Sequence, residues 1–239
     1  MMSMILSIIF VVILLLAAWG GYKRGLILSI AHLAAIVAAL YLACLLSAAF
    51  SNEIVTGLQP FAEGYLDHQI DEEVMPELGL SGEQLSVADA VAQHPELVPE
   101  FCEATYRAAG IYAGPARQMA QEAQDYAETQ FVSINAALVQ VFCERIAYVG
   151  GTVVAFILIL VLLLGIGNIP NLTFRIPDRE RLDDIGGAVA GFVGGMAYCV
   201  LLCWVLQFLG ALIGRNTLAD TFLARFFLAI DILTLGVGI

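Results

Sequence analysis

The sequence predicts an all-α, multipass membrane protein. Its expected parts are four transmembrane helices, an extracytoplasmic helical lobe between helices 2 and 3, and a C-terminal amphipathic helix. Three observations carry that prediction. Hydrophobic residues make up 60% of the 239 residues and charged residues only 13%, a balance foreign to soluble domains of this size. Four uncharged apolar runs are each long enough to cross a bilayer. The acids behind the net charge of -12 are concentrated in one central segment instead of being spread along the chain. The lipid bilayer is therefore the first partner. Nucleic acid is not expected as a partner, because phosphate binding needs a basic surface.

Residues 1–50 form a transmembrane hairpin. The first span, Met2 to Trp19, is apolar throughout, and its positive charge (Lys23, Arg24) comes after it. A cleaved signal peptide carries that charge before its apolar core, so an uncleaved span is expected. The second span, Leu26 to Phe50, offers Ala34, Ala35, Ala38 and Ala39 as small packing residues. The connection from Gly20 to Gly25 has room only for a tight helical turn.

Residues 51–145 form the acidic lobe. Asp71, Glu72 and Glu73 stand in a row, and Pro60, Pro76, Pro95, Pro99 and Pro115 all fall here. Pro60 to Glu77 and Ser86 to Ala109 read as short helices, interrupted around Gly79, Gly82, Pro95 and Pro99. Pro115 suits a first helical turn. Beyond it Met119, Ala123, Tyr126, Ala127, Ile134, Ala137, Leu138, Val141 and Phe142 keep helical spacing. That stripe predicts one helix running without interruption into the next span.

Residues 146–214 hold spans three and four around a basic loop. Ile146 to Asn168 is the third span. The loop carries Pro170, Pro177, Arg175, Arg179 and Arg181. The fourth apolar run, Gly186 to Gly214, would measure roughly 43 Å as a helix, longer than a hydrocarbon core of about 30 Å, so tilt or an interfacial first turn is expected. In the tail, residues 215–239, Leu218, Phe222, Phe226 and Ile230 share a face while Asp220, Arg225 and Asp231 interrupt a span. An amphipathic or re-entrant segment in the headgroup region fits best, and a fifth span from Phe226 is the alternative.

Basic residues flank the short loops, which sets the orientation. The Lys23/Arg24 and Arg175/Arg179/Arg181 loops face the cytoplasm, and the N-terminus, the lobe and the tail face outward. The expected location is a membrane that borders the cytoplasm, and the family resemblance set out below implies that it is the bacterial cell membrane.

Candidate functional residues are few. Gly187, Gly191 and Gly195 recur every fourth residue and share one helix face, where another helix can approach nearly backbone to backbone. That face serves either packing within the chain or a homo-oligomer or pore. Asp183 and Asp184 precede it, where negative charge suits a helix N-terminus. The four spans contain no carboxylate and no Lys or Arg, which weakens a coupled-transporter reading. His32, in the second span, is either a gating residue or the partner in an interhelical hydrogen bond to Ser or Thr. Cys44, Cys199 and Cys203 read as small packing residues. Cys102 and Cys143 pose a disulfide question that sequence leaves open. Asp67, His68, Asp71 and Glu72 read as a solvated acidic face, not a metal site. No nucleophile elbow, phosphate loop or metalloprotease motif occurs. No catalytic residue, cofactor or metal is therefore expected.

The pattern GYKRGLI from Gly21 to Ile27, with Gly21, Arg24 and Gly25 as its markers, resembles the amino-terminal signature of the bacterial CvpA family. That family is named for a membrane component required for colicin V production. A second family signature, D-R-hydrophobic-x-G-x-x-x-G-x-x-R-G, is similar to the stretch holding Asp183, Gly187, Gly191 and Gly195. The resemblance covers the four spans and extends to Asn216-Thr217-Leu218. The lobe is long for the family. Asp184 stands where the family usually has a basic residue, Gly194 where it often has Arg or Lys, and Ser7 near the place of an acid. The resemblance implies a role in toxin production, export or envelope maintenance, acting through assembly with itself or other membrane proteins. The other reading is a channel or carrier for a small solute or ion, formed by oligomerisation around the fourth helix.

Overall fold

The structure is a computed structural model and describes residues 2–79, 95–166, 180–214 and 217–229. Every regular element among them is helical. In chain order these are α1 (Met2–Arg24), α2 (Leu26–Gln69), a π-helical turn (Ile70–Val74), α3 (Met75–Glu77), a 3-10 turn (Pro95–Leu97), α4 (Val98–Ala108), α5 (Ala113–Gln130), α6 (Ile134–Ile166), α7 (Glu180–Leu206), α8 (Gly210–Ile213) and α9 (Phe222–Ala229). Among the described residues four stretches are long and apolar enough to cross a membrane: Met2–Arg24, Leu26–Ser51, Ile134–Gly165 and Glu180–Leu206. The chain is an all-α multipass membrane protein.

It divides into two compact units. One comprises Met1–Ala48, Gly150–Leu206 and Thr217–Ile239, the other Ala49–Val149 and Gln207–Asn216. In the first, the outward faces of the helices are apolar and bare: Leu15, Val37, Val161 and Ile185 are among the exposed side chains. Such a surface suits acyl chains. The contact between α1 and α7 is small-residue packing, because lipid offers no hydrophobic drive for one helix to leave it for another and close van der Waals contact must do so. The tail helix α9 closes on α1 through Phe227 and Phe10, whose ring centroids lie 5.5 Å apart.

In the second unit the aromatic Tyr106 is fully buried and donates its hydroxyl hydrogen bond to the Leu138 carbonyl at 3.0 Å. A buried phenol needs such a partner. Val55, Ala62, Cys143 and Ala147 form a further cluster with Leu58, Val139 and Phe142 around it. Gly110 meets the short helix α8 nearly backbone to backbone, since a methyl group on it would overlap the Ala211 amide nitrogen. The Tyr112 amide donates to the Gln207 carbonyl at 2.8 Å.

The elements depart from the sequence reading at several places. Pro60 does not open a new helix, because α2 runs through it from Leu26 to Gln69. Both Pro60 and Thr56 are exposed, so the carbonyl that loses its donor there is left on an accessible face. The π-turn then keeps Ile70 and Val74 buried while Asp71, Glu72 and Glu73 stay exposed. The helix expected to run unbroken into the third span is two helices. Phe131 takes the left-handed conformation (φ 54°) and its amide donates back to the Ala127 carbonyl, which ends α5. Ser133 accepts from the Ala136 amide at 3.3 Å, capping α6.

The fourth span begins at Glu180 and ends at Leu206, short of Gly214, because the chain turns at Gln207 and Phe208 into α8. The tail helix buries Ala224 and Phe227, while Phe222 and Phe226 are exposed. Of the face expected to be its apolar anchor, Phe222 and Phe226 are thus exposed while Leu218 is buried. Cys102 and Cys143 are both buried free thiols. His68 and Glu72 form an exposed pair at 3.4 Å. Ser86, Gly82, Asn168, Pro170, Arg175, Pro177, Arg179, Arg215, Asn216, Ile230 and Asp231 lie outside the described residues.

Candidate functional site

The two glycine-bearing motifs pack against each other. Ala17, Gly21 and Gly25 recur at intervals of four, as do Gly187, Gly191 and Gly195, so each set forms one stripe on its helical face. A methyl group on Gly21 would overlap the Gly187 carbonyl and come within 2.8 Å of the Gly191 Cα. One on Gly187 would overlap the Gly21 carbonyl and stand 2.7 Å from the Gly25 carbonyl carbon. On Gly191 it would overlap the Ala17 carbonyl, and on Gly195 it would lie 2.8 Å from the Ala17 Cβ. The glycine face of α7 is therefore occupied by α1 of the same chain. Any larger residue at Gly21, Gly187 or Gly191 would force the backbones apart.

Asp183 closes the top of this contact. Gly25 turns the chain between α1 and α2 with φ 81°, a conformation that costs glycine nothing. The amide of Leu26, first residue of α2, donates to Asp183 Oδ1 at 2.8 Å. Asp183 is fully buried, and a methyl group on Gly25 would lie 2.5 Å from its Oδ2. One carboxylate thus caps the free N-terminus of α2, where the helix dipole favours negative charge. It also fastens α7 to the hairpin turn. Ser29 adds a hydrogen bond from its hydroxyl to the Gly21 carbonyl at 3.2 Å. Asp184 beside it is only half-buried.

Arg24 and His32 face a second feature. A cleft of about 310 Å³ lies between α1, α2 and α7, and its walls include Gly20, Arg24, His32, Gly194 and Tyr198. His32 Nε2 lies 3.4 Å from the Tyr198 hydroxyl, so its polar neighbour is a tyrosine where the sequence reading looked for Ser or Thr. Its Nδ1 is buried without a hydrogen-bond partner. Lys23, the other cation of the hairpin, stacks over Trp19 at 3.9 Å from the ring centroid. Gly194, where the resembling family often carries a basic side chain, faces only the tip of Ile36 at 3.4 Å.

The sequence-predicted residues thus gather at two adjoining places. Gly21, Gly25, Asp183, Gly187, Gly191 and Gly195 build the interlock. Arg24 and His32 line the cleft, which Gly21, Gly191 and Gly195 also border. Sequence reasoning missed Tyr198 and Gly20; an aromatic one turn past the glycine stripe was the available signal for Tyr198. Among the described residues no group of three or more His, Cys, Asp or Glu side chains is placed to hold a metal ion.

Residues 6–73 match the family described as colicin V production protein. No curated protein and no solved structure matches the chain.

Proposed function

We propose that the chain, whose residues 6–73 match the colicin V production protein family, is a relative of that family and serves toxin production, export or envelope maintenance as a membrane assembly protein. It acts through helix packing and association with other membrane proteins or a second copy of itself, and it performs no catalysis. The observation that supports this reading is the interlock itself. Asp183, Gly187 and Gly191 bind the first hairpin to α7 through backbone contacts and a cap, which makes a rigid platform and leaves no reactive constellation there. In this reading the Lys23/Arg24 hairpin lies on the cytoplasmic side and residues 51–145 face outward.

The channel reading is less well supported, because the glycine face that would line a pore around α7 is filled by α1. Reconstitution in liposomes tests the choice. Folded protein is expected to give no ion or small-solute flux above empty vesicles. Sustained flux from the wild-type protein would overturn the assembly reading. Orientation is tested by an impermeant maleimide on intact cells carrying Phe131→Cys. Labelling is expected without permeabilisation, and labelling only after permeabilisation would invert the topology.

A further inference from the structure

The cleft beside the interlock has the make-up of a ligand site. Gly20 and Gly194 line it, yet neither is demanded by packing. A methyl group on Gly20 would meet nothing within 4 Å, and one on Gly194 only the Ile36 side chain at 3.4 Å. These two glycines keep space open, in contrast with Gly21 and Gly191, which keep helices close. The volume of about 310 Å³ falls at the small end of ligand pockets.

Its polar groups are arranged in depth. Arg24 sits at the end of α1, and among the described residues no carboxylate pairs with it. No Asp or Glu lines the cleft. His32 is the seventh residue of α2, so it lies about 9 Å further along the helix axis than Leu26. There it pairs with Tyr198 and keeps one buried, unpartnered ring nitrogen. The remaining walls include Ile13, Leu16 and Leu33, which are apolar. A cation at the headgroup end, hydrogen-bonding groups below it and hydrocarbon alongside match an acidic amphiphile.

We propose that this cleft binds the headgroup of an anionic membrane phospholipid, with its phosphate at Arg24, its polar backbone at His32 and Tyr198, and its first acyl carbons along Leu16 and Leu33. Basic pockets between transmembrane helices on the cytoplasmic side bind acidic lipids for the same electrostatic reason. The site goes beyond the assembly role and stands without it, since it rests on the cleft alone. A bare inorganic anion would satisfy Arg24 but leave the apolar walls uncovered, so lipid is the better occupant.

Native mass spectrometry of the full chain in detergent, titrated with phosphatidylglycerol, phosphatidylcholine or inorganic phosphate, tests the site. One phosphatidylglycerol is expected to bind at least tenfold more tightly than phosphatidylcholine. Arg24→Gln should remove that preference, and Gly20→Leu should fill the space and weaken phosphatidylglycerol about tenfold. If Gly20→Leu fails to fold, as read by its thermal midpoint, His32→Leu replaces it, with several-fold weaker binding expected. Equal binding of the two lipids by the wild-type chain would overturn the proposal, as would unchanged preference in Arg24→Gln. Displacement of phosphatidylglycerol by equimolar inorganic phosphate would also overturn it and identify a free-anion site.

Discussion

At Gly21 an added methyl group runs into the backbone of α7, whereas at Gly20, one residue earlier, it meets nothing within 4 Å. Gly21→Ala is therefore expected to lose about 1–3 kcal/mol by overpacking. Gly20→Ala should stay within about 0.5 kcal/mol of wild type. Thermal midpoints followed by circular dichroism in detergent measure both. Asp183→Ala leaves the Leu26 amide without its acceptor inside a buried contact, and a loss of about 1 kcal/mol is expected from the cap alone. Asp183→Asn, which keeps an acceptor oxygen, should lose less. In the lobe, burial pushes the Cys102 thiol up to about 12, partly offset by a hydrogen bond with Gln124. The folded state therefore holds the proton that the unfolded chain gives up near pH 9. The stability this lends is complete below that pH and is lost as pH rises toward 12. Maleimide should not label Cys102 at pH 8 until the protein unfolds. Of these residues, the four-residue glycine spacing and the acid before it were legible as letters. Which helix they meet was not, because spacing names a face without naming its neighbour. His32 was legible as a lone polar group at membrane depth, but Tyr198 reaches it from 166 positions away.

Helix boundaries follow caps more than apolar patterns. The stripe from Met119 to Phe142 keeps helical period across Phe131, yet the chain breaks there, because Ser133 caps a new helix and Phe131 adopts the left-handed region. Phe131 is 95% exposed, so its ring contributes little packing while its Cβ strains the turn. Phe131→Gly is expected to raise stability by about 0.5–1 kcal/mol, visible as a higher thermal midpoint. A fall would mean that the ring packs after all. The Ser before Ile134 was a readable cap signal, outweighed in the sequence reading by the stripe. Pro60 was misread in the opposite direction: an exposed proline is tolerated where the freed carbonyl remains accessible. The early stop of α7 at Leu206 had its signal in Gln207, the first uncharged polar side chain after a long apolar run. Its carbonyl receives the Tyr112 amide, a contact that only the folded lobe provides.

At the scale of the chain, composition and run length were enough to read a four-span helical protein, because the bilayer admits few alternatives to a helix for satisfying backbone groups. The division into units was harder. Residues 207–216 group with 49–149 although they follow the fourth span in sequence, and no composition shift marks a partner that distant. The link between Leu26 and Asp183 spans 157 positions, which gives the molecule a schedule as well as a shape. At roughly 5–20 residues per second of synthesis, the first hairpin waits on the order of ten to thirty seconds before the carboxylate that completes it leaves the ribosome. During that interval the bare stripe of α1 is open to a quality-control protease or a chaperone in the membrane. A nascent chain stalled before residue 183 should be degraded faster than one stalled after Cys203, a difference that pulse-chase decay would measure.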